Sequence, residues 1–276
     1  THQLNKNQTF YASYAVANKE PNRADYVESS PNSRPVHETL FDTEIGYKYR
    51  DKWLAFNVNL YNMNYDNQLI KTGEINDVGY FTSTNIKSSY RRGLEIEAGY
   101  QLNSKFNLSG NLTISENKVD SFTQFIDNWD TWGQEMVLHE NTDLAFSPNM
   151  IWAAQADYKL NSKTTILFNS KYVGEQFIDN TSNTERMLDA YLVSNLQIDY
   201  VFNSFLFKKA KFSFLIKNLF DVEYVNNAWL YRYITNSFDP TESDIYTTLG
   251  SDGVYDMAGY FPQAKRNYLL GLTIDF

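Results

Sequence analysis

Residues 53–61 read WLAFNVNLY, and residues 94–101 and 106–114 repeat the same design as LEIEAGYQ and FNLSGNLTI. In an extended chain successive side chains point to opposite faces, so Leu54, Phe56, Val58 and Leu60 share one face, and Ala55, Asn57 and Asn59 the other. The dyad continues with Leu94, Ile96, Ala98 and Tyr100 against Glu95, Glu97, Gly99 and Gln101, and again through WAAQADYKL at 152–160. A water-facing sandwich usually carries Lys and Glu on its polar face. Here that face is mostly Asn, Ser, Thr, Gln and Gly, which suits a hydrated or plugged lumen with the apolar face turned to lipid.

Composition agrees. The 276 residues include 21 Tyr, 19 Phe and 5 Trp, yet the mean hydropathy is −0.50, so apolar and polar groups must be interleaved. A net charge of −9 argues against nucleic acid, whose phosphates call for clustered Lys and Arg. With no Cys there is no disulfide, thiolate metal site or Cys nucleophile. No apolar run approaches the ~18 residues of a membrane helix, so a membrane role belongs to strands. The chain opens THQLNKNQTF without initiator Met or leader, as expected of a mature product or a fragment.

The pattern predicts an all-β, antiparallel meander of about ten long strands: 8–18, 38–50, 53–65, 86–101, 105–116, 149–160, 164–176, 188–202, 210–222 and 263–276. Between them long and short links alternate, the short ones near Asp51, Ser104, Ser162 and Phe205. Outer-membrane barrels place short turns on the periplasmic side and long loops outside. Aromatics crowd the strand ends, as in Tyr47-Tyr49-Trp53 and Tyr200-Phe202, which reads either as interfacial girdles or as ordinary β-propensity.

Four segments resemble the barrel of TonB-dependent outer-membrane receptors, of the siderophore or vitamin type and Bacteroidetes-like. They are TFYASYAVANKEPNRADY with ETLFDTEIGYKYR, then SSYRRGLEIEAGYQL, FSFLIKNLFDVEYVNNA and the closing GYFPQAKRNYLLGLTIDF. The resemblance implies a 22-stranded transmembrane barrel closed by an N-terminal plug and powered by the TonB complex. It makes 1–276 the C-terminal portion of that barrel, with plug and earlier strands absent. It also implies no cofactor and no enzyme activity, and as partners outer-membrane lipid, TonB through the plug, the barrel assembly machinery and a scarce small-molecule nutrient. An outer-membrane barrel enzyme and a passive porin stay open as alternatives. For the enzyme, His139 with Asp143 and Ser147 is the one conceivable trio.

Site candidates follow. Arg91, Glu95 and Glu97 share the polar face, and the resemblance makes them plug-facing lumen residues; they could equally pair with neighbouring strands or water. Link 223–262 holds nine aromatics, six acids and one base, Arg232. Its Trp229, Tyr231, Arg232, Tyr233 and Tyr255, with Trp129 and Trp132 of link 117–148, are ligand-binding candidates; packing of the loops on one another is the plainer role. Asp239, Glu242, Asp244, Asp252 and Asp256 match no Ca2+ spacing and read as a solvated acidic loop. Three scattered His give no metal site. Tyr268 and the terminal Phe276 resemble the assembly signal of this class. The acidic loops disfavour a strongly anionic ligand.

Overall fold

The computed structural model describes residues 1–29, 34–76, 81–204 and 207–275. In chain order its strands are β1 (His2–Asn5), β2 (Gln8–Lys19), β3 (Glu38–Arg50), β4 (Leu54–Ile75), β5 (Phe81–Gln101), β6 (Phe106–Asn128), β7 (Gly133–Asp143), β8 (Met150–Lys159) and β9 (Thr164–Val173). There follow β10 (Gln176–Phe177), β11 (Met187–Leu188), β12 (Tyr191–Ser204), β13 (Phe207–Lys217), β14 (Val225–Ile234), β15 (Thr247–Leu249), β16 (Tyr255–Pro262) and β17 (Asn267–Asp275). One short helix, α1 (Arg23–Glu28), lies between β2 and β3.

The wall runs β1-β2-β3-β4-β5-β6-β8-β9-β12-β13-β17. Every neighbouring pair is antiparallel, so ten of its strands are the expected meander and β1 is added. Register carries the dyad from strand to strand. Phe10, Tyr47, Val58, Ile96, Leu112, Trp152, Tyr172 and Leu192 stand opposite one another in turn, forming one apolar ring. One residue along, Lys48, Asn57, Glu97, Asn111, Ala153 and Lys171 form the ring of the other face. That second face lines a hollow of about 1040 Å³ reached from β2 round to β12, so the sheet curls with its polar face inward. Leu270 and Leu272 on the outer face are 70% and 60% exposed, apolar surface that only lipid would cover well.

The short turns share a local device. Asp51 Oδ1 accepts from the amides of Trp53 and Leu54, both at 2.7 Å. Asn103 Oδ1 accepts from Lys105 and Phe106 at 2.8 and 3.1 Å, and Asn161 Oδ1 from Lys163 and Thr164, both at 2.9 Å. A side-chain carboxylate or amide thus caps the two amides that the reversing chain cannot pair, the usual reason Asp and Asn head turns. The turn expected at Phe205 lies outside the described residues. Aromatic pairs sit beside these turns on the outer face: Phe10 with Tyr47 at 4.8 Å, Tyr49 with Phe56 at 5.5 Å and Phe106 with Tyr158 at 6.2 Å. They make a belt along one edge.

Three links expected as loops are instead strand. β4 continues to Ile75 and β5 starts at Phe81, and β6 runs on to Asn128. Up to Ile114 β6 pairs with β8; from Lys118 it pairs with β7, so it leaves the wall and becomes half of an outer hairpin. Link 223–262 folds as β14 against β16 with β15 on its far side. The buried apolar clusters among the described residues lie in this outer layer: Ile70, Ile86, Val119, Phe122 and Leu144 form one, Ile178, Leu188 and Ala228 another.

A charge on the outer face tests the wall. In the intact barrel Ile96→Arg is expected to cost roughly 2 to 4 kcal/mol near the bilayer midplane, read as a lowered urea midpoint in lipid. An unchanged midpoint would place Ile96 away from hydrocarbon.

Candidate functional site

β14 brings Trp229, Tyr231 and Tyr233 to one side and Leu230 and Arg232 to the other, by strand parity. Its end joins the tip of β6 in parallel, Tyr233 opposite Asp127 and Ile234 opposite Asn128, with the Trp129 amide donating to Ile234 O at 2.9 Å. The aromatic side therefore meets Trp129. The Trp129 ring stacks on Tyr233 with centroids 4.1 Å apart and planes 13° from parallel, and Tyr233 stacks in turn on Tyr255 at 5.6 Å. Trp129 Nε1 donates to the Tyr231 hydroxyl at 2.9 Å, and that hydroxyl donates to Asp127 Oδ2 at 2.6 Å. Burial and the bond to Asp127 push the Tyr231 phenol well above its ordinary range, so it stays a donor. Tyr233 is 1% exposed and Tyr255 9%, so both serve the stack.

The other side holds buried ions. Arg232 donates from Nε to Asp256 Oδ1 at 2.7 Å, from Nη2 to Asp252 Oδ2 at 2.5 Å and from Nη1 to Gln124 Oε1 at 3.2 Å. Arg186, which the sequence reading passed over, donates to Asp179 Oδ2 at 2.8 Å, Asp256 Oδ2 at 3.2 Å and Thr181 Oγ1 at 2.7 Å. Asp256 thus bridges two guanidinium groups. With Arg186, Arg232 and Asp256 3%, 7% and 5% exposed, this part of 223–262 is no solvated acidic loop; the acids at 252 and 256 are there to neutralise arginines that packing buries. Burial would raise the Asp252 carboxyl, but the Arg232 hydrogen bond and charge outweigh it and hold it below the usual range.

His139 lies on Phe122, rings 5.2 Å apart, and burial lowers its pKa, so the imidazole is neutral at pH 7. Its Nε2 faces Gln124 Oε1 at 3.0 Å, an oxygen that already accepts from Arg232, so Nε2 carries the proton. Asp143 pairs with Lys118 at 3.0 Å and Ser147 accepts from Arg91 Nη1 at 2.9 Å. The His139, Asp143 and Ser147 trio is not assembled. Among the described residues no group of three metal-ligating side chains converges.

Between wall and outer layer lies a cavity of about 510 Å³. It is lined by strand ends at Ile70, Arg91, Phe122 and Phe125, by Leu144 and Phe146, by 178–181, and by 228–230 with Arg232. Of the sequence candidates, Arg91, Trp229 and Arg232 reach it. Trp229 is 45% exposed and its indole crosses Gly259, where any Cβ would collide with it. Trp132 stands 92% exposed at the β6–β7 tip. Asn180, 7% exposed, ties the layers by accepting from the Ala145 amide at 2.8 Å and donating to Lys71 O at 3.2 Å. Lower down, Glu95 and Glu97 are exposed to the lumen, and among the described residues neither has a hydrogen-bond or ion-pair partner. Tyr268 stacks on Phe214 on the outer face of the wall, and Phe276 lies outside the described residues.

With that geometry in place the comparisons identify the class. The family model for the TonB dependent receptor-like β-barrel matches residues 1–219, and the chain belongs to that family. It is thus part of a TonB-dependent receptor-like barrel, a family of the bacterial outer membrane. Among solved structures it is similar to the siderophore receptor PiuA from Acinetobacter baumannii, at 15% identity and a TM-score of 0.70, over 98% of this chain and 34% of that one. It is also similar to the ferric-catecholate import receptor Fiu from K12 E. coli, in its closed form, at 18% identity and a TM-score of 0.65, over 100% and 34%. The copper transporter OprC matches at 16% identity and a TM-score of 0.66, over 100% and 39%. The chain spans about a third of the length of the structures it matches. No curated protein matches it.

Two outcomes test the outer layer. Arg232→Gln leaves both Asp252 and Asp256 with Arg186 alone, at 3.7 and 3.2 Å, so it is expected to cost about 3 kcal/mol, the low end of the ~3 to 5 kcal/mol for breaking a buried pair. The readout is proteolysis: 223–262 should be cut while the wall stays intact, and parental resistance would show that the ions do not hold the layer.

Asp130 accepts from Ser237 Oγ at 2.6 Å and from the Asn236 amide at 2.7 Å, joining the tips of both outer hairpins. These bonds, the hydroxyl first, hold its carboxyl below the ordinary range. A lowered folded pKa stabilises above the unfolded value of ~3.9 and is lost as pH falls through the folded value, so the joint should hold at neutral pH and open only below about pH 4. Spin labels at Gly133 and Ser243 should report one narrow distance above that pH and a broad one below; broadening near pH 6 would assign the joint elsewhere.

Proposed function

We propose that this chain is the C-terminal wall and outer mouth of a receptor that binds a scarce nutrient, a ferric siderophore, another metal chelate or a vitamin, and imports it with energy from the TonB complex. The observation that carries this reading is the second layer. A passive pore gains nothing from a hairpin stack and a buried ion network folded over its mouth, whereas a binding site needs walls held in fixed positions. The family and the siderophore and copper receptors among its structural neighbours support the same ligand class.

Within this reading Glu95 and Glu97 are the lumenal carboxylates that meet cations of an N-terminal plug. Their lack of a partner among the described residues supports it, since no neighbouring strand supplies the countercharge. Outer-membrane lipid covers the apolar ring, and Phe276 with Tyr268 forms the signal read by the assembly machinery.

In cells carrying the intact receptor, uptake of radio-iron chelates and of a labelled vitamin is measured with the proton gradient intact and collapsed. Uptake of one of them that stops on collapse is expected, and Trp229→Ala should weaken its binding by about 1 to 3 kcal/mol without lowering surface abundance. Uptake that survives collapse would make the barrel a passive pore.

A further inference from the structure

The cavity between wall and outer layer has the size of a small-molecule site, typically about 300 to 1,000 Å³. Its lining is largely apolar, with Ile70, Phe122, Phe125, Leu144, Phe146 and Ile178 on several sides. The charged groups that reach it differ in how far they are satisfied. Arg232 is engaged by Asp252, Asp256 and Gln124. Lys71 donates to Phe81 O at 2.9 Å and lies 3.8 Å from Glu28. Asp179 is held by Arg186 at 2.8 Å and accepts from Thr181.

Arg91 is different. Its Nη1 donates to Asn117 Oδ1 at 3.3 Å and Ser147 Oγ at 2.9 Å, both neutral groups. Among the described residues its Nε and Nη2 have no acceptor and no carboxylate lies within ion-pair distance. A half-buried guanidinium normally finds a countercharge, and its planar fork is shaped for a bidentate oxyanion. The other acids of the cavity are already committed to other cations. The site therefore offers one positive charge not already taken by a carboxylate, and a second anionic group would find no countercharge of its own.

We propose that this cavity takes an amphipathic monoanion, its carboxylate or sulfonate on Arg91 and its apolar or aromatic body against the Phe122 and Phe146 side. This rests on the receptor reading and narrows its ligand class: a ligand with one exposed anionic group and a ring or alkyl body, rather than a polyanionic chelate.

The test uses the purified intact receptor in lipid nanodiscs and two probes of one shape, naphthoate and its neutral isostere naphthamide, measured by calorimetry. The parent should bind naphthoate about tenfold more tightly, the scale of one charge-assisted hydrogen bond. Arg91→Gln should erase that preference, Arg91→Lys should keep part of it, and Phe146→Ala should weaken both probes alike while the preference stays. Heat-modifiable migration on a gel confirms that each variant is folded. Equal binding of both probes by the parent, or a preference that survives Arg91→Gln, overturns the inference, and equal binding is also what a plug carboxylate seated on Arg91 would give. The transport reading fails separately. Energised uptake without an Arg91-dependent preference removes the anion site and leaves transport, whereas an Arg91-dependent preference with uptake indifferent to the proton gradient removes transport and leaves the site.

Discussion

Inside hydrocarbon every backbone N–H and C=O must find its partner within the sheet, and this requirement governs the wall. The ladder that satisfies it also fixes which side chains face lipid, because the period of a strand is two. Val58, Ile96, Leu112 and Trp152 are opposite one another only in this register; a slip of one residue in β5 would bring Glu95 and Glu97 into lipid. Side-chain pattern and hydrogen-bond ladder therefore specify each other. The lumen face adds a packing constraint of its own at Gly46, directly opposite Tyr11, whose ring occupies the space a Cβ there would need. The glycine lets Tyr11 lie along the wall and donate to Asn59 Oδ1 at 3.0 Å.

Beyond the rim that device is no longer enough. The outer hairpins leave the lipid-facing ladder, so they need a core, and they build one from two apolar clusters, the Trp129, Tyr233 and Tyr255 stack and a set of paired ions. Burying charge is a poor way to gain stability, since desolvation offsets most of the attraction. What Asp256 does well is fix direction: with one oxygen on Arg186 and the other on Arg232, it sets link 178–188 and strand β14 at one distance from each other. The cavity lies between those elements, so its shape depends on that carboxylate.

The wall was legible in the sequence because lipid on one side and water on the other impose a strict dyad, and WLAFNVNLY and LEIEAGYQ display it without interruption. The outer layer was not. In residues 117–128 Phe122 and Phe125 fall three apart, and Ile126 follows at once, so no single face stays apolar. The reason is that the buried face of this stretch, Phe122, Gln124, Ile126 and Asn128, mixes apolar side chains with amides that Arg232 and Glu135 engage. Trp229, Tyr231 and Tyr233 do alternate, and that period was the available signal for β14. Arg186 left no trace at all: a lone arginine in a polar link becomes a buried ion only through Asp179 and Asp256, which no local pattern connects to it.

Partner supply separates architecture from the groups held ready for something else. Arg186 and Arg232 find their countercharges within the described chain and are thereby accounted for as architecture. Arg91, Glu95 and Glu97 do not, and all three stand on one face of β5. With a rise of about 3.3 Å per residue, the backbones of Arg91 and Glu95 are roughly 13 Å apart along the strand, Arg91 toward the mouth and the carboxylates deeper. On the proposed reading, an anion at the mouth meets Arg91 first, and the carboxylates stand deeper in the lumen. On that reading a positive group covering Glu95 and Glu97 is what lets the anion go deeper, so one strand links the anion site at the mouth to whatever occupies the lumen.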